Sequence, residues 1–313
     1  MSGKNATERL TADAAGLARA AELLRAGALV ALPTETVYGL AARADDAAAV
    51  AAIYAAKGRP SFNPLIVHVA DVAAAERLAR LDERARALAA RFWPGPLTMV
   101  LPLRDDAGLA CAVTAGLPTV ALRCPAHPVM RQVLAQVALP LAAPSANRSG
   151  FVSPTTADHV AATLDGRIAA IVDGGPCADG VESTIVALRA DGAWSLLRPG
   201  PIAHTDLAVL LGPGETGSTG IEAPGQLTSH YAPGKPMRLG ALRAEEGEFL
   251  IGFGNVTGEV TLSATGDLAE AAARLYACLH LAAEAPPARI AVAPVPDSGL
   301  GAAINDRLRR AAT

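Results

Sequence analysis

Short apolar runs bounded by turn residues alternate with Ala-rich helical stretches from the start of the chain, and this alternation constrains the fold more than any single residue does. "TADAAGLARAAELLRAG" carries a helical pattern that Gly27 stops, and "ALVAL" reads as a short buried strand. An Ala-rich helical pattern is expected to resume after Tyr38, with "DDAAAVAAIYAAKGR" a helix capped by Asp45 or Asp46. "PLIVHVA", "PLTMVLPL", "TVALRC", "LPLAAPSA", "RIAAIVDGG" and "STIVALRA" read as further strands. Helical stretches run up to Trp93 and recur near 126–137 and 155–164. Strands outnumber helices in places. The expected class is therefore α/β, a twisted mixed sheet with helices and not a strictly alternating barrel.

The texture changes at 212. "GPGETGSTGIEAPGQLTSHYAPGKP" is dense in Gly, Pro, Ser and Thr and is expected to hold no regular element. Beyond it, "EFLIGFG", "GDLAEAAARLYACLHLAAEA", "RIAVAPV" and "GLGAAINDRLRRAA" suggest a second, small α/β domain. The expected division is 9–211, a linker over 212–236, and 237–313; a length of 313 residues accommodates two domains. The charge balance, 27 Lys plus Arg against 30 Asp plus Glu, shows no basic surplus of the kind a dedicated nucleic-acid binder carries. Cys111, Cys124, Cys177 and Cys278 are scattered without a CxxC pair, which argues against zinc and for reduced thiols. The polar start "MSGKNATERLTAD" and the lack of any run of about 18 apolar residues lead to an expectation of a cytoplasmic protein with no membrane partner.

Chemistry concentrates where strands end. "LPTETVYGL" follows the first buried strand with Thr34, Glu35 and Thr36, whereas a structural turn more often uses Gly, Asn or Asp. In "AAKGRPSFNPLIVHV", Lys57 and Arg59 close a helix, where cations offset the dipole. Pro60 and Pro64 then bracket a rigid loop that places Ser61 and Asn63 beside both cations, a set suited to clamping phosphate. His68 alone would more often be an ordinary strand histidine. Arg123 ends an apolar strand and needs an anionic partner, from the protein or from a substrate. "PSANRSG" offers Ser145, Asn147 and Ser149, "VESTIV" offers Ser183 and Thr184, and "LLRPG" puts Arg198 at a strand end. Each signal is weak alone; together they predict one polar cleft. No Walker A loop and no G-x-S-x-G elbow is present.

"LPTETVYGLAA", "KGRPSFNPLIVHV", "PSANRSG" and "VESTIV", in this order and spacing, resemble the YrdC/Sua5 family of threonylcarbamoyl-AMP synthases. Lys57, Arg59, Ser145 and Asn147 match that family's KxR…SxN pattern, and "HYAPGKP" with the small C-terminal domain resembles the longer Sua5 form. The resemblance implies a YrdC-like sheet followed by a Rossmann-like Sua5 domain. It implies condensation of L-threonine, bicarbonate and ATP into threonylcarbamoyl-adenylate with loss of pyrophosphate. The product would pass to downstream transferase proteins for the t6A modification of tRNAs that read ANN codons, an indirect link to tRNA. By the same resemblance, Thr36, His68, Arg123, Ala143 and Ser183 would contact threonine, with Arg123 on its carboxylate. Arg59, Asn63, Thr119, Ser145, Asn147, Ser153, Arg198 and Tyr231 would contact ATP. Lys57 would neutralise phosphate, with Mg²⁺ carried by the nucleotide and no metal ligand from protein side chains. The stiff, partly aromatic end of the linker suits a lid that closes over nucleotide, with Tyr231 at the ATP site.

Two other readings compete. A non-catalytic double-stranded RNA or tRNA binder would share the fold, but phosphate-dominated binding needs clustered Lys and Arg. A carbamoyl-adenylate-forming maturation enzyme of the HypF type would carry zinc-finger cysteine pairs and an acylphosphatase module, and this sequence has neither.

Overall fold

A computed structural model describes residues 6–217, 220, 222–226 and 230–313. Residues 218, 219, 221 and 227–229 of the expected linker lie outside the described residues. The first ten strands are β1 (Glu8–Thr11), β2 (Val30–Leu32), β3 (Gly39–Arg43), β4 (Ile66–His68), β5 (Leu97–Pro102), β6 (Thr119–Arg123), β7 (Leu141–Ala142), β8 (Ala170–Asp173), β9 (Thr184–Leu188) and β10 (Trp194–Arg198). With β11 (Glu215–Thr216) they form one sheet in the order β1-β8-β2-β3-β7-β4-β6-β5-β9-β10-β11. The sheet is mixed: β4–β6 and β5–β9 pair parallel, whereas β2–β3, β4–β7, β5–β6 and β9–β10 pair antiparallel. Helices α1 (Ala14–Arg25), α2 (Ala47–Lys57), α3 (Val72–Glu76), α4 (Glu83–Phe92), α5 (Cys111–Thr114), α6 (Pro128–Val137), α7 (Ala157–Leu164) and α8 (His204–Leu211) lie between strands. A second sheet is wholly parallel. Its strands β12 (Met237–Leu239), β13 (Glu248–Gly252), β14 (Val260–Thr261) and β15 (Arg289–Val292) run in the order β12-β15-β13-β14, with α9 (Leu268–Glu284) and α10 (Leu300–Ala311).

Local chemistry explains the boundaries. Asp46 caps α2, accepting from the backbone N–H groups of Ala48 at 2.8 Å and Ala49 at 3.1 Å, while Asp45 pairs with Arg43. Residues 39–43, expected to belong to an Ala-rich helical stretch, form β3 instead. They are paired on both sides, by β2 and β7, and burial of that central position overrides alanine's helix preference. The linker was expected to hold no regular element, yet Glu215 and Thr216 pair with β10 as β11.

The two sheets share a seam. Val37, Val152, Val181 and Tyr231 are buried in the same apolar cluster as Leu275, Tyr276, Leu279 and Ile304 of α9 and α10. The loop between β8 and β9 runs directly against α9. At Gly180, φ is +69° and an added Cβ would lie 2.3 Å from the Ala272 carbonyl oxygen. Gly108 has a similar φ of +66° on an exposed loop with open space around it. We predict that Gly108→Ala costs about 1 kcal/mol, the backbone term alone, and that Gly180→Ala costs about 1–3 kcal/mol because the loop must also leave the helix. Calorimetry should show Gly180→Ala melting several degrees below Gly108→Ala; equal melting temperatures would mean the seam is loose.

Candidate active site

The ends of adjacent strands converge on one cavity. Parallel pairing puts His68, the last residue of β4, level with Arg123, the last residue of β6. The turn after β2 supplies Thr34 and Thr36, the residues after β7 supply Ala143 and Ser145, and the antiparallel β9–β10 pair brings Ser183 and Arg198 to the same edge. Arg59 follows α2, where Gly58 takes a left-handed cap with φ of 60°. Pro224, Gly225, His230 and Tyr231 of the linker complete the lining, and the Ala232 N–H donates to the Gly150 carbonyl at 2.7 Å. The described residues on either side of 227–229 thus border the cavity, with Tyr231 part of its wall.

Two clusters face this space. In the first, Arg123 is buried, donating from Nη2 to Glu35 Oε1 at 2.6 Å and from Nη1 to Thr36 Oγ1 at 2.9 Å. The other Glu35 oxygen accepts from the backbone N–H groups of Ala126 at 3.0 Å and His127 at 3.3 Å. Burial alone would raise the Glu35 carboxyl, but the Arg123 charge and these hydrogen bonds outweigh it and hold it below the usual carboxylate range. The anionic partner that Arg123 required is therefore Glu35. Thr34 Oγ1 lies 2.9 Å from Thr36 Oγ1 and donates to the Val37 carbonyl at 2.6 Å, which locks the turn. His68 is driven down to about 3 by burial and by the neighbouring Arg123 charge, so its ring is neutral and its Nδ1 has no partner.

In the second cluster, Arg59 and Arg198 have no carboxylate within salt-bridge distance among the described residues. Arg59 donates to the carbonyls of Asn63 at 3.3 Å and Pro64 at 3.1 Å, and burial lowers it to about 10. Arg198 donates to the Ser183 carbonyl at 3.0 Å, to Ser183 Oγ at 3.1 Å and to the Pro224 carbonyl at 3.3 Å. Ser183 Oγ also meets Thr98 Oγ1 at 2.7 Å. The Tyr231 hydroxyl and His230 Nδ1 are buried without partners, like the Nδ1 of His68 in the lining of the same cavity. Each such group costs about 1–3 kcal/mol, so their concentration here marks a site shaped for a polar ligand.

Nine of the fourteen residues to which the family resemblance gave a site role line the cavity: Thr36, Arg59, His68, Arg123, Ala143, Ser145, Ser183, Arg198 and Tyr231. Five do not. Asn63 and Thr119 lie before β4 and at the start of β6, at the strand ends opposite His68 and Arg123. Lys57 was expected to face phosphate. Instead its buried ammonium donates to the Ser145 and Asn147 carbonyls, both at 2.5 Å, and to Asn147 Oδ1 at 3.4 Å, so it holds that loop in place. Asn147 spends its amide N–H groups on the carbonyls of Arg148 at 3.0 Å and Phe151 at 2.7 Å. The Ser153 hydroxyl donates to Glu182 Oε1 at 2.6 Å instead of facing the cavity.

Glu182 is the residue that sequence reasoning passed over. It was visible only as the second letter of "VESTIV", yet it lines the cavity and accepts from Ser153, from the Tyr276 hydroxyl at 2.8 Å and from Arg307 Nε at 2.7 Å. Burial opposes its ionisation, but Arg307 and its other donors bring it down to about 2.

Two family models match the chain: one described as "Telomere recombination" over residues 22–200, the other as "Threonylcarbamoyl-AMP synthase, C-terminal domain" over residues 202–313. A threonylcarbamoyl-AMP synthase of Bacillus subtilis (strain 168) is 43% identical, the match covering 98% of this chain and 95% of the relative. One from Pyrococcus abyssi is 40% identical over 93% of this chain and 92% of its own. The crystal structure of P. abyssi Sua5 complexed with L-threonine matches with a TM-score of 0.89 and 36% identity, covering 98% of this chain and 97% of that one.

The Glu182 environment generates a pH prediction. A carboxyl lowered from 4.5 unfolded to about 2 folded stabilises the protein above the unfolded value, and that contribution drains away as pH falls from about 5 toward 2. It amounts to about 3 kcal/mol. Urea titrations of Glu182→Gln across this range should show a shallower acid loss of stability than wild type; parallel curves would mean that Glu182 is not held ionised.

Proposed function

The chain belongs to the Sua5/YrdC family of threonylcarbamoyl-AMP synthases, and from that premise we propose that it condenses L-threonine, bicarbonate and ATP into threonylcarbamoyl-adenylate and pyrophosphate. In this reading 9–211 is the catalytic part, 212–236 a lid and 237–313 the C-terminal part. The product passes to transferase proteins that complete t6A on tRNA, so tRNA is met only indirectly.

One observation carries the reading: a single cavity holds both a carboxylate-paired arginine cluster and a second pair of arginines without carboxylates. Arg123 has five N–H groups, and its contacts to Glu35, Thr36 and the Gly95 carbonyl leave one on each terminal nitrogen for the threonine carboxylate. Thr36, the neutral ring of His68, Ala143 and Ser183 line the cavity around it. Arg59 and Arg198 are free to offset phosphate charge beside Ser145 and the Tyr231 hydroxyl. From there a nucleotide extended along β4 and β6 reaches the unpartnered amide of Asn63 and Thr119, roughly 13 Å from Arg123 at strand spacing.

The chemistry needs positioning and charge neutralisation more than a protein nucleophile. Threonine's amine adds to bicarbonate and loses water, giving a carbamate. A carbamate oxygen then attacks the α-phosphorus and pyrophosphate departs. Lys57 acts one step back, fixing the loop that presents Ser145. The polar groups around the nucleotide compartment are guanidinium, amide, hydroxyl and the single imidazole of His230, and its carboxylate, Glu182, is taken by Arg307 and Tyr276. Mg²⁺ would therefore arrive on the nucleotide and be held by phosphate oxygens, and no step is assigned to it.

Pyrophosphate release by the full chain without RNA should require all three substrates, and mass spectrometry should place labelled bicarbonate carbon in the adenylate. Binding of RNA without turnover would favour the non-catalytic alternative. Arg59→Ala should lower kcat/KM for ATP by roughly 30- to 1,000-fold, about 2–4 kcal/mol of transition-state stabilisation, with the fold intact. Near-normal turnover would remove Arg59 from the site.

A further inference from the structure

The last helix of the chain reaches the cavity through one side chain. Arg307, fully buried on α10, donates from Nε to Glu182 Oε2 at 2.7 Å and from Nη2 to the Pro199 carbonyl at 3.0 Å and the Glu182 carbonyl at 3.5 Å. Residue 182 immediately precedes Ser183, and residue 199 immediately follows Arg198. One guanidinium therefore ties together the two chain segments that carry Ser183 and Arg198, which are themselves bonded to each other. It also lies 5.5 Å over the Tyr231 ring. Its remaining nitrogen, Nη1, pairs with Asp306 at 2.6 Å, so every nitrogen of the group is engaged.

A buried ion pair of this kind contributes little net stability compared with apolar residues of the same shape, because desolvation consumes the Coulombic gain. What it supplies is fixed geometry. A single Nε bond to the Glu182 carboxylate together with the Nη2 bonds to two carbonyls restricts how the strand ends can sit, and the Ser153 and Tyr276 hydroxyls add further donors to the carboxylate. The threonine cluster does not depend on this clamp in the same way. Arg123 is held by Glu35 and Thr36, and Glu35 in turn by backbone N–H groups of residues 126 and 127, all within the large-sheet part of the chain.

We infer that Arg307 is a positioning residue for the nucleotide compartment: through Pro199 it sets Arg198 and over its own face it sets Tyr231, and it meets the threonine compartment only at Ser183 through Glu182, so the C-terminal sheet governs ATP binding far more than threonine binding. This rests on the functional reading above. The test uses the full chain with Arg307→Lys, Arg307→Met and the double variant Glu182→Gln/Arg307→Met, which removes both members of the buried pair in case the single Met variant fails to fold. Calorimetric melting establishes that each variant is folded, and pyrophosphate release gives KM for each substrate.

The expected result for the double variant is a rise of at least tenfold in the KM for ATP, with the KM for threonine within threefold of wild type. Arg307→Lys should lie between, since an ammonium can pair with Glu182 but cannot span both carbonyls. An unchanged KM for ATP in the folded double variant overturns the inference, and so does an equal rise for both substrates, the mark of a merely structural role. Wild-type protein that releases no pyrophosphate overturns the functional reading itself, and the two failures are thereby told apart.

Discussion

A carboxylate buried at position 182 stays ionised only where enough donors replace the water it has lost, and much of this structure is arranged to supply them. Those donors come from three distant places in the sequence: Ser153 before α7, Tyr276 on α9 and Arg307 on α10. Meeting the demand of one anion therefore joins the large sheet to the parallel one. The apolar seam around Val181, Leu275 and Ile304 adds area, but area is non-directional. The hydrogen bonds to Glu182 give the junction its register.

The same economy of charge separates the two halves of the cavity. Arg123 has its counter-ion in Glu35, so a ligand carboxylate that reaches it joins an arrangement already satisfied and is selected by shape as much as by charge. Arg59 and Arg198 rest on backbone carbonyls, which satisfy hydrogen bonds without cancelling charge. Their mutual repulsion and burial both hold the guanidinium of Arg59 below its ordinary range. A polyanionic ligand would offset that repulsion, whereas Arg123 already has its counter-ion.

Much of the architecture was legible because it rests on local pattern. Gly27 ended its helix, Asp46 capped the next, and buried runs such as "TVALR" became central strands. The failures have physical causes. "GLAAR" has helix-forming composition and becomes β3 only because two neighbours pair with it, a fact that lies outside any sequence window. β1 carries charged, largely exposed residues and is defined by its ladder with β8. The site followed the same rule. Hydroxyls and cations at strand ends could be read directly, since each is out of place where it stands. Lys57 could be found but its direction could not, because the carbonyls it serves lie 88 and 90 residues away. Arg307 reads as an ordinary cation near a helix C-terminus, and only the fold sets it against Glu182.

The linker supplies the last constraint. Tyr231 adopts φ of 65°, a left-handed conformation that a bulky side chain rarely takes, and it does so with its hydroxyl buried and unpartnered. Backbone strain and lost hydrogen bonding both oppose this placement. Opposing them are ring contacts with His230 at 4.1 Å and Tyr276 at 5.7 Å, the Arg307 cation above the ring, and the Ala232–Gly150 hydrogen bond. A ligand that bonded the free hydroxyl would remove one opposing term and leave every favourable one in place. By linkage, such a ligand would stabilise this placement of Tyr231 by as much as the placement strengthens its binding. Because Arg307 and Tyr276 touch both Tyr231 and Glu182, that free energy is shared among the linker, the β9–β10 edge and the parallel sheet. The cavity is therefore a joint property of all three, and none of them builds it alone.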